Sequence, residues 1–121
     1  MATYNSTTVT LTLFNAQASN ATGTKQFGID QFSHVQSYTN WSVQTSSTGT
    51  PTGYTITIQF SIDGVNWVNA ATTFTQADGN PVTKNITPLG SGTAAPYIRA
   101  VLTGLTGGTA PTVTVSCVGV S

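Results

Sequence analysis

The sequence predicts an all-β protein: a single β-sandwich of about eight antiparallel strands, immunoglobulin-like or jelly-roll in topology. Three observations carry that expectation. Apolar residues recur with a period of two along most of the chain, and no window shows the 3.6-residue period of an amphipathic helix. Roughly one residue in five is threonine, whose branched Cβ favours extended backbone and whose hydroxyl tolerates water. Gly, Pro, Asn and Asp punctuate the alternating runs at short intervals, as turns do in a sandwich of short strands. Strand count does not separate the two topologies.

Residues 1–7 are polar and aperiodic and are expected to form a flexible arm, with the sandwich over residues 8–121. Val9, Leu11 and Leu13 alternate with threonines in a first strand, and residues 35–43 alternate toward Trp41 and Val43. Between them, residues 27–32 read equally as a short turn or a strand. The clearest run places Tyr54, Ile56, Ile58, Phe60 and Ile62 on one face, with Thr55, Thr57, Gln59 and Ser61 on the other. Asp63-Gly64 follows, a dipeptide typical of two-residue hairpin loops. Pairing Ile62 with Val65 then sets Phe60 opposite Trp67 and turns all four inward. Trp41, Phe60 and Trp67 are thus assigned to the core, Asp63 and Gly64 to the turn. Residues 72–76 and 82–87 make short strands on either side of an Ala77–Pro81 turn. In residues 97–103 Tyr97, Arg99 and Val101 share a face, and in residues 112–118 Val113, Val115 and Cys117 do. Residues 49–53 and 104–111 are loops.

Composition narrows the function. The chain has 121 residues, of which only 5% are charged, against about 25% in an average soluble protein. Its acids are Asp30, Asp63 and Asp78, its bases Lys25, Lys84 and Arg99, and its net charge is zero. Binding to nucleic acid or to an anionic membrane needs clustered Lys and Arg, so neither partner is expected. A core is available, with 38% of residues hydrophobic and 9% aromatic, which argues against disorder. The first residues lack the basic and apolar regions of a secretory signal. The Asn-x-Ser/Thr triplets at Asn5, Asn20, Asn40 and Asn85 therefore read as products of composition.

Catalytic chemistry finds little to use. His34 is the one histidine, and in extended chain Asp30 lies over about 12 Å from it. Asp63 and Asp78 each precede a glycine, and turn formation accounts for both. Zinc wants four ligands, more than one His and one Cys supply, and a calcium ion on Asp63 or Asp78 would ordinarily recruit several carboxylates. Cys117 reads as a buried, inert thiol. Arg99, the sole arginine, anchors an interface or a cross-strand ion pair. No catalytic residue, cofactor or metal is assigned, and the chain reads as a non-enzyme.

Ser61-Ile62-Asp63-Gly64-Val65-Asn66-Trp67 closes a strand, and Tyr97-Ile98-Arg99 opens a later one. Thr106-Gly107-Gly108-Thr109-Ala110-Pro111 then leads into the Thr/Val strand from Thr112. This succession resembles a pattern shared by many small virion proteins of tailed bacteriophages, over about residues 54–118, roughly half of the chain. The resemblance implies a head decoration (cement) protein, often trimeric, that binds the major capsid protein on the outer head and stabilises it. It further implies assembly in the host cytoplasm and residence in the virion. Ala2, Thr3, Tyr4 and Asn5 of the arm, together with Arg99, are then the candidate partner contacts. The same elements are similar to discoidin-like carbohydrate-binding modules. That likeness implies the alternative of a glycan-binding module of a tail or fibre, gripping through residues 63–66 and 104–111. A tail-tube or baseplate structural role is the other alternative.

Overall fold

The computed structural model describes residues 8–26, 40–86 and 97–120. The expectations at Ala2, Thr3, Tyr4, Asn5, residues 27–32 and His34 lie outside the described residues. Among the described residues eight strands are formed: β1 (Thr8–Gln17), β2 (Ala21–Gln26), β3 (Asn40–Thr48), β4 (Gly53–Ser61), β5 (Val68–Thr75), β6 (Val82–Ile86), β7 (Tyr97–Thr106) and β8 (Thr112–Val120). A 3-10 turn, Gln76–Asp78, follows β5.

Two four-stranded sheets result, in the orders β1-β8-β3-β6 and β2-β7-β4-β5. Their antiparallel pairings are nested: β1 with β8, β2 with β7, β3 with β6 and β4 with β5. One long strip, doubled back at the β4–β5 connection and then rolled, produces that nesting. The β3–β8 and β4–β7 pairs complete each sheet. The topology is the jelly roll, one of the two alternatives that the sequence leaves open.

Alternation explains the core. From β4 come Tyr54, Ile56, Ile58 and Phe60; from β7, Ile98, Ala100 and Leu102; from β3, Trp41 and Val43; from β8, Val113, Val115 and Cys117. Each meets the facing sheet, and burial of one such aliphatic or aromatic side chain is worth about 1.5–3 kcal/mol. Trp41 is wholly buried and tilts against Phe60 with ring centroids 6.4 Å apart. The opposed β8 position is Gly119, where a Cβ would lie 2.8 Å from the Trp41 ring. β1 is irregular: its register slips between Thr12 and Phe14, so Leu13 and Phe14 are buried in succession.

Three expectations are corrected. β2, with the sequence Ala-Thr-Gly-Thr-Lys-Gln, has no apolar alternation and was not foreseen. It is an edge strand held by β7, and Gly23 sits directly against the Leu13 carbonyl of β1, where a side chain would collide. The tight Asp63-Gly64 hairpin does not form. Phe60 pairs with Val68 instead of Trp67, and the chain from Ile62 to Trp67 loops out before β5 begins. Finally Ile62 and Val65, expected inward, are 68% and 76% exposed.

Two polar clamps fix the periphery. The Asn80 side chain pairs with the Ser47 backbone as a strand would, donating to its carbonyl at 2.8 Å and accepting from its N–H at 3.0 Å. Lys84 Nζ reaches Asp78 Oδ2 at 3.0 Å and the Thr73 carbonyl at 2.8 Å, tying β6 to the end of β5.

Two substitutions test the packing by urea unfolding. Gly119→Ala should lose about 1–3 kcal/mol through overpacking against Trp41. Thr45 is wholly buried and its hydroxyl has no partner among the described residues. Thr45→Val should therefore raise stability by about 1 kcal/mol.

Candidate functional site

The loop between β4 and β5 is organised by one carboxylate. Asp63 Oδ1 accepts the backbone N–H groups of Val65 and Asn66, each at 2.8 Å, and the Ser61 hydroxyl at 3.0 Å. Its Oδ2 accepts Asn66 Nδ2 at 2.8 Å. Ser61 Oγ in turn accepts the Gly64 N–H at 2.8 Å. Here the side chain of Asp satisfies the amides that a tight hairpin would leave to the opposite strand, which is why the two-residue turn gives way. The backbone donors of Asn66 and Val65 hold the Asp63 carboxyl far below the usual carboxylate range.

Gly64 is required twice over. Its φ of 77° lies in the left-handed region, and a Cβ there would meet the Tyr97 ring at 3.2 Å. The loop is thereby pressed onto β7, and Trp67 is brought over the outer face of the β2-β7-β4-β5 sheet.

On that face the Arg99 guanidinium carbon stands 4.2 Å from the centre of the Trp67 ring, and Tyr97 meets the indole edge-on at 6.3 Å. Arg99 Nε donates to Gln59 Oε1 at 2.6 Å, and Gln59 Nε2 donates to Asn69 Oδ1 at 2.6 Å. The three residues are direct neighbours in register across β7, β4 and β5. A polar relay thus crosses three strands and fixes the plane of the guanidinium. Trp67 is half-buried on this outer surface, which corrects its assignment to the core. The strand phase used to place it ends at Ser61, and the loop resets the count. Trp41 and Phe60 are core residues as expected, and Asp63 and Gly64 do shape a turn, though a longer one.

Two of the segments that carry the resemblance, residues 61–67 and 97–99, come together, whereas residues 106–111 lie apart from them. Ser61, Asp63, Gly64, Trp67, Tyr97 and Arg99 build one unit, in which the first three shape the loop and the last three form its aromatic and cationic surface.

The other loops lie elsewhere. Thr52 N–H donates to the Thr106 carbonyl at 2.9 Å and Thr109 N–H to the Gly49 carbonyl at 2.8 Å, so residues 49–53 and 104–111 interlock, and residues 104–106, expected in a loop, form the end of β7 while Gly53 opens β4. They meet at the Gly53 end of β4, whereas the Asp63 loop leaves from its Ser61 end, about 25 Å away by strand rise. The two segments expected to grip a glycan together are at opposite ends of the sandwich.

Other candidate groups are engaged or buried. Asp78 Oδ2 accepts the Thr75 N–H at 2.7 Å, which with Lys84 lowers its pKa. Burial pushes the Cys117 thiol up to about 12. Among the described residues no three His, Cys, Asp or Glu side chains gather as a metal site would require.

Because the folded-state pKa of Asp63 is depressed, its bonds contribute fully above the ordinary carboxylate value of about 4 and are lost only as pH falls through the lower folded value. Protection of the Val65 and Asn66 amides, taken as the exchange rate relative to the intrinsic rate at the same pH, should therefore be the same at pH 4 as at pH 7, and Asp63→Ala should reduce it, as read by NMR. Loss of that protection at pH 4 in the unsubstituted protein would contradict the depressed pKa.

No protein-family profile matches the chain, and no curated protein matches it. Among solved structures, the SPBc2 prophage-derived protein YomS superposes with a TM-score of 0.64 at 15% identity, covering 100% of this chain and 99% of that one. PirA covers 97% of its own length at 15% identity with a TM-score of 0.43, a level too low to bear on the fold. The chain is therefore similar to YomS in fold from end to end.

Proposed function

We propose that this chain is a structural protein of a phage virion, a decoration protein that binds the major capsid protein on the outer head and stabilises it. The observation that carries the proposal is the end-to-end likeness of fold to a prophage-derived protein at a TM-score of 0.64. The resemblance of residues 54–118 to phage virion proteins points the same way, and two of its segments meet in one surface unit. A non-enzymatic role agrees with the carboxylates of Asp63 and Asp78, which are consumed by their own loops. A small homo-oligomer, with a trimer favoured, would give such a protein many copies per particle. A glycan grip shared between residues 63–66 and 104–111 has lost its geometric basis, since the two loops are at opposite ends of β4.

Mass spectrometry of purified virions, with immunogold labelling, tests the proposal. The chain is expected in a copy number comparable to that of the major capsid protein, with label over the head. Label confined to the tail would replace the capsid role with the tail-tube or baseplate one, and absence from particles would overturn both.

A further inference from the structure

We infer that the Arg99–Trp67 surface docks a carboxylate presented by a different protein, with Ile62 and Val65 as the apolar rim of that contact. The inference deepens the virion role and rests on it, by naming the surface and the chemistry of the partner.

Clustering is the first argument. Four large apolar side chains stay exposed among the described residues, and two of them, Ile62 at 68% and Val65 at 76%, belong to the β4–β5 connection. The same connection carries Trp67, which meets Arg99 and Tyr97, and arginine, tryptophan and tyrosine are the types most enriched at the energetic centre of protein interfaces. The saturated Asp63 carboxylate holds the loop in one shape, so little ordering entropy remains to be lost on contact.

Charge is the second. Among the described residues the one ion pair is Lys84 with Asp78, and Arg99 has only the neutral Gln59 amide on its Nε. Its guanidinium is part-buried, stacked on Trp67 and fixed in plane, with the Nη donors left for a bidentate carboxylate. Among its described residues a second copy of this chain is poorly equipped to supply it. Both Asp63 oxygens are filled within their own loop, and Asp78 is held by Thr75 and Lys84. The occupant is therefore assigned to another protein, and a contact through Asp30 or the terminal carboxylate of a second copy is distinguished by the coupling step of the test. A sugar is the weaker occupant, because the guanidinium covers one face of Trp67 and the neighbours are branched aliphatics.

The test uses particles of the encoding phage deleted for this chain and supplied with it in trans. Occupancy should fall about thirtyfold for Arg99→Gln, the weakening typical of a central hot-spot residue. It should fall also for Val65→Ser, an exposed change that leaves the core untouched, and stay unchanged for Lys84→Gln. Carbodiimide treatment of particles carrying Arg99→Lys should join the new amine to an Asp or Glu of another protein, located by peptide mass spectrometry. Equal occupancy of Arg99→Gln and Val65→Ser would overturn this inference alone. So would coupling to a second copy of the chain, coupling to no protein, or Arg99-dependent binding to an acidic glycan array without protein coupling. Absence of the unsubstituted chain from particles would overturn the virion role and this inference with it.

Discussion

The indole of Trp41 reaches from β3 across the sandwich to Phe60 on β4 and occupies the space that Gly119 leaves open on β8. Gly119 is the in-register neighbour of Trp41 within the same sheet, and an indole lies over that position only where no side chain stands. That pairing of large with small lets the ring fill the space between the two sheets as they close. Closure buries the aliphatics of β4, β7 and β8, and with the inner faces occupied, threonines, glutamines and asparagines are left to face water. The outer surface of the β2-β7-β4-β5 sheet is thus polar by default, and the aromatic and cationic group around Arg99 stands out on it.

Much of this architecture was legible because strand phase survives wherever the strand does. Tyr54, Ile56, Ile58 and Phe60 alternate without interruption, and so do Val113, Val115 and Cys117, and every one of them is buried. Legibility failed where a side chain overrode the backbone pattern. Asp63-Gly64 reads as a tight turn only if the Asp63 carboxylate stays idle; it captures two backbone amides and reshapes the connection. The inward placement of Ile62, Val65 and Trp67 fell with the register. β2 was invisible for the opposite reason, since its place follows from Gly23 passing close to the Leu13 carbonyl, a tertiary contact with no local signature.

The site was legible in pieces. Arg99 stood out as the sole arginine, Trp67 as an aromatic, and the Ser-x-Asp-Gly-x-x-Trp and Tyr-Ile-Arg segments as a family-like pattern. Their union depends on the β4–β7 register that sets Gln59 beside Arg99 and Ser61 beside Tyr97. That pairing joins segments distant in sequence, and nothing in either segment alone specifies it. The two ends of the molecule consequently differ in character. Residues 49–53 and 104–111 close one end with backbone hydrogen bonds, while the other carries the exposed Ile62 and Val65 of the Asp63 loop and the stack of Arg99 on Trp67.

The thiol of Cys117 lies 1% exposed within β8, with burial raising its pKa to about 12. At neutral pH it is neither ionised nor within reach of an alkylating reagent. As the sole native cysteine, it leaves the exterior silent toward maleimides. A thiol introduced at an exposed loop position such as Thr109, at the far end from Arg99, would make one attachment point per chain for a dye or a heavy atom.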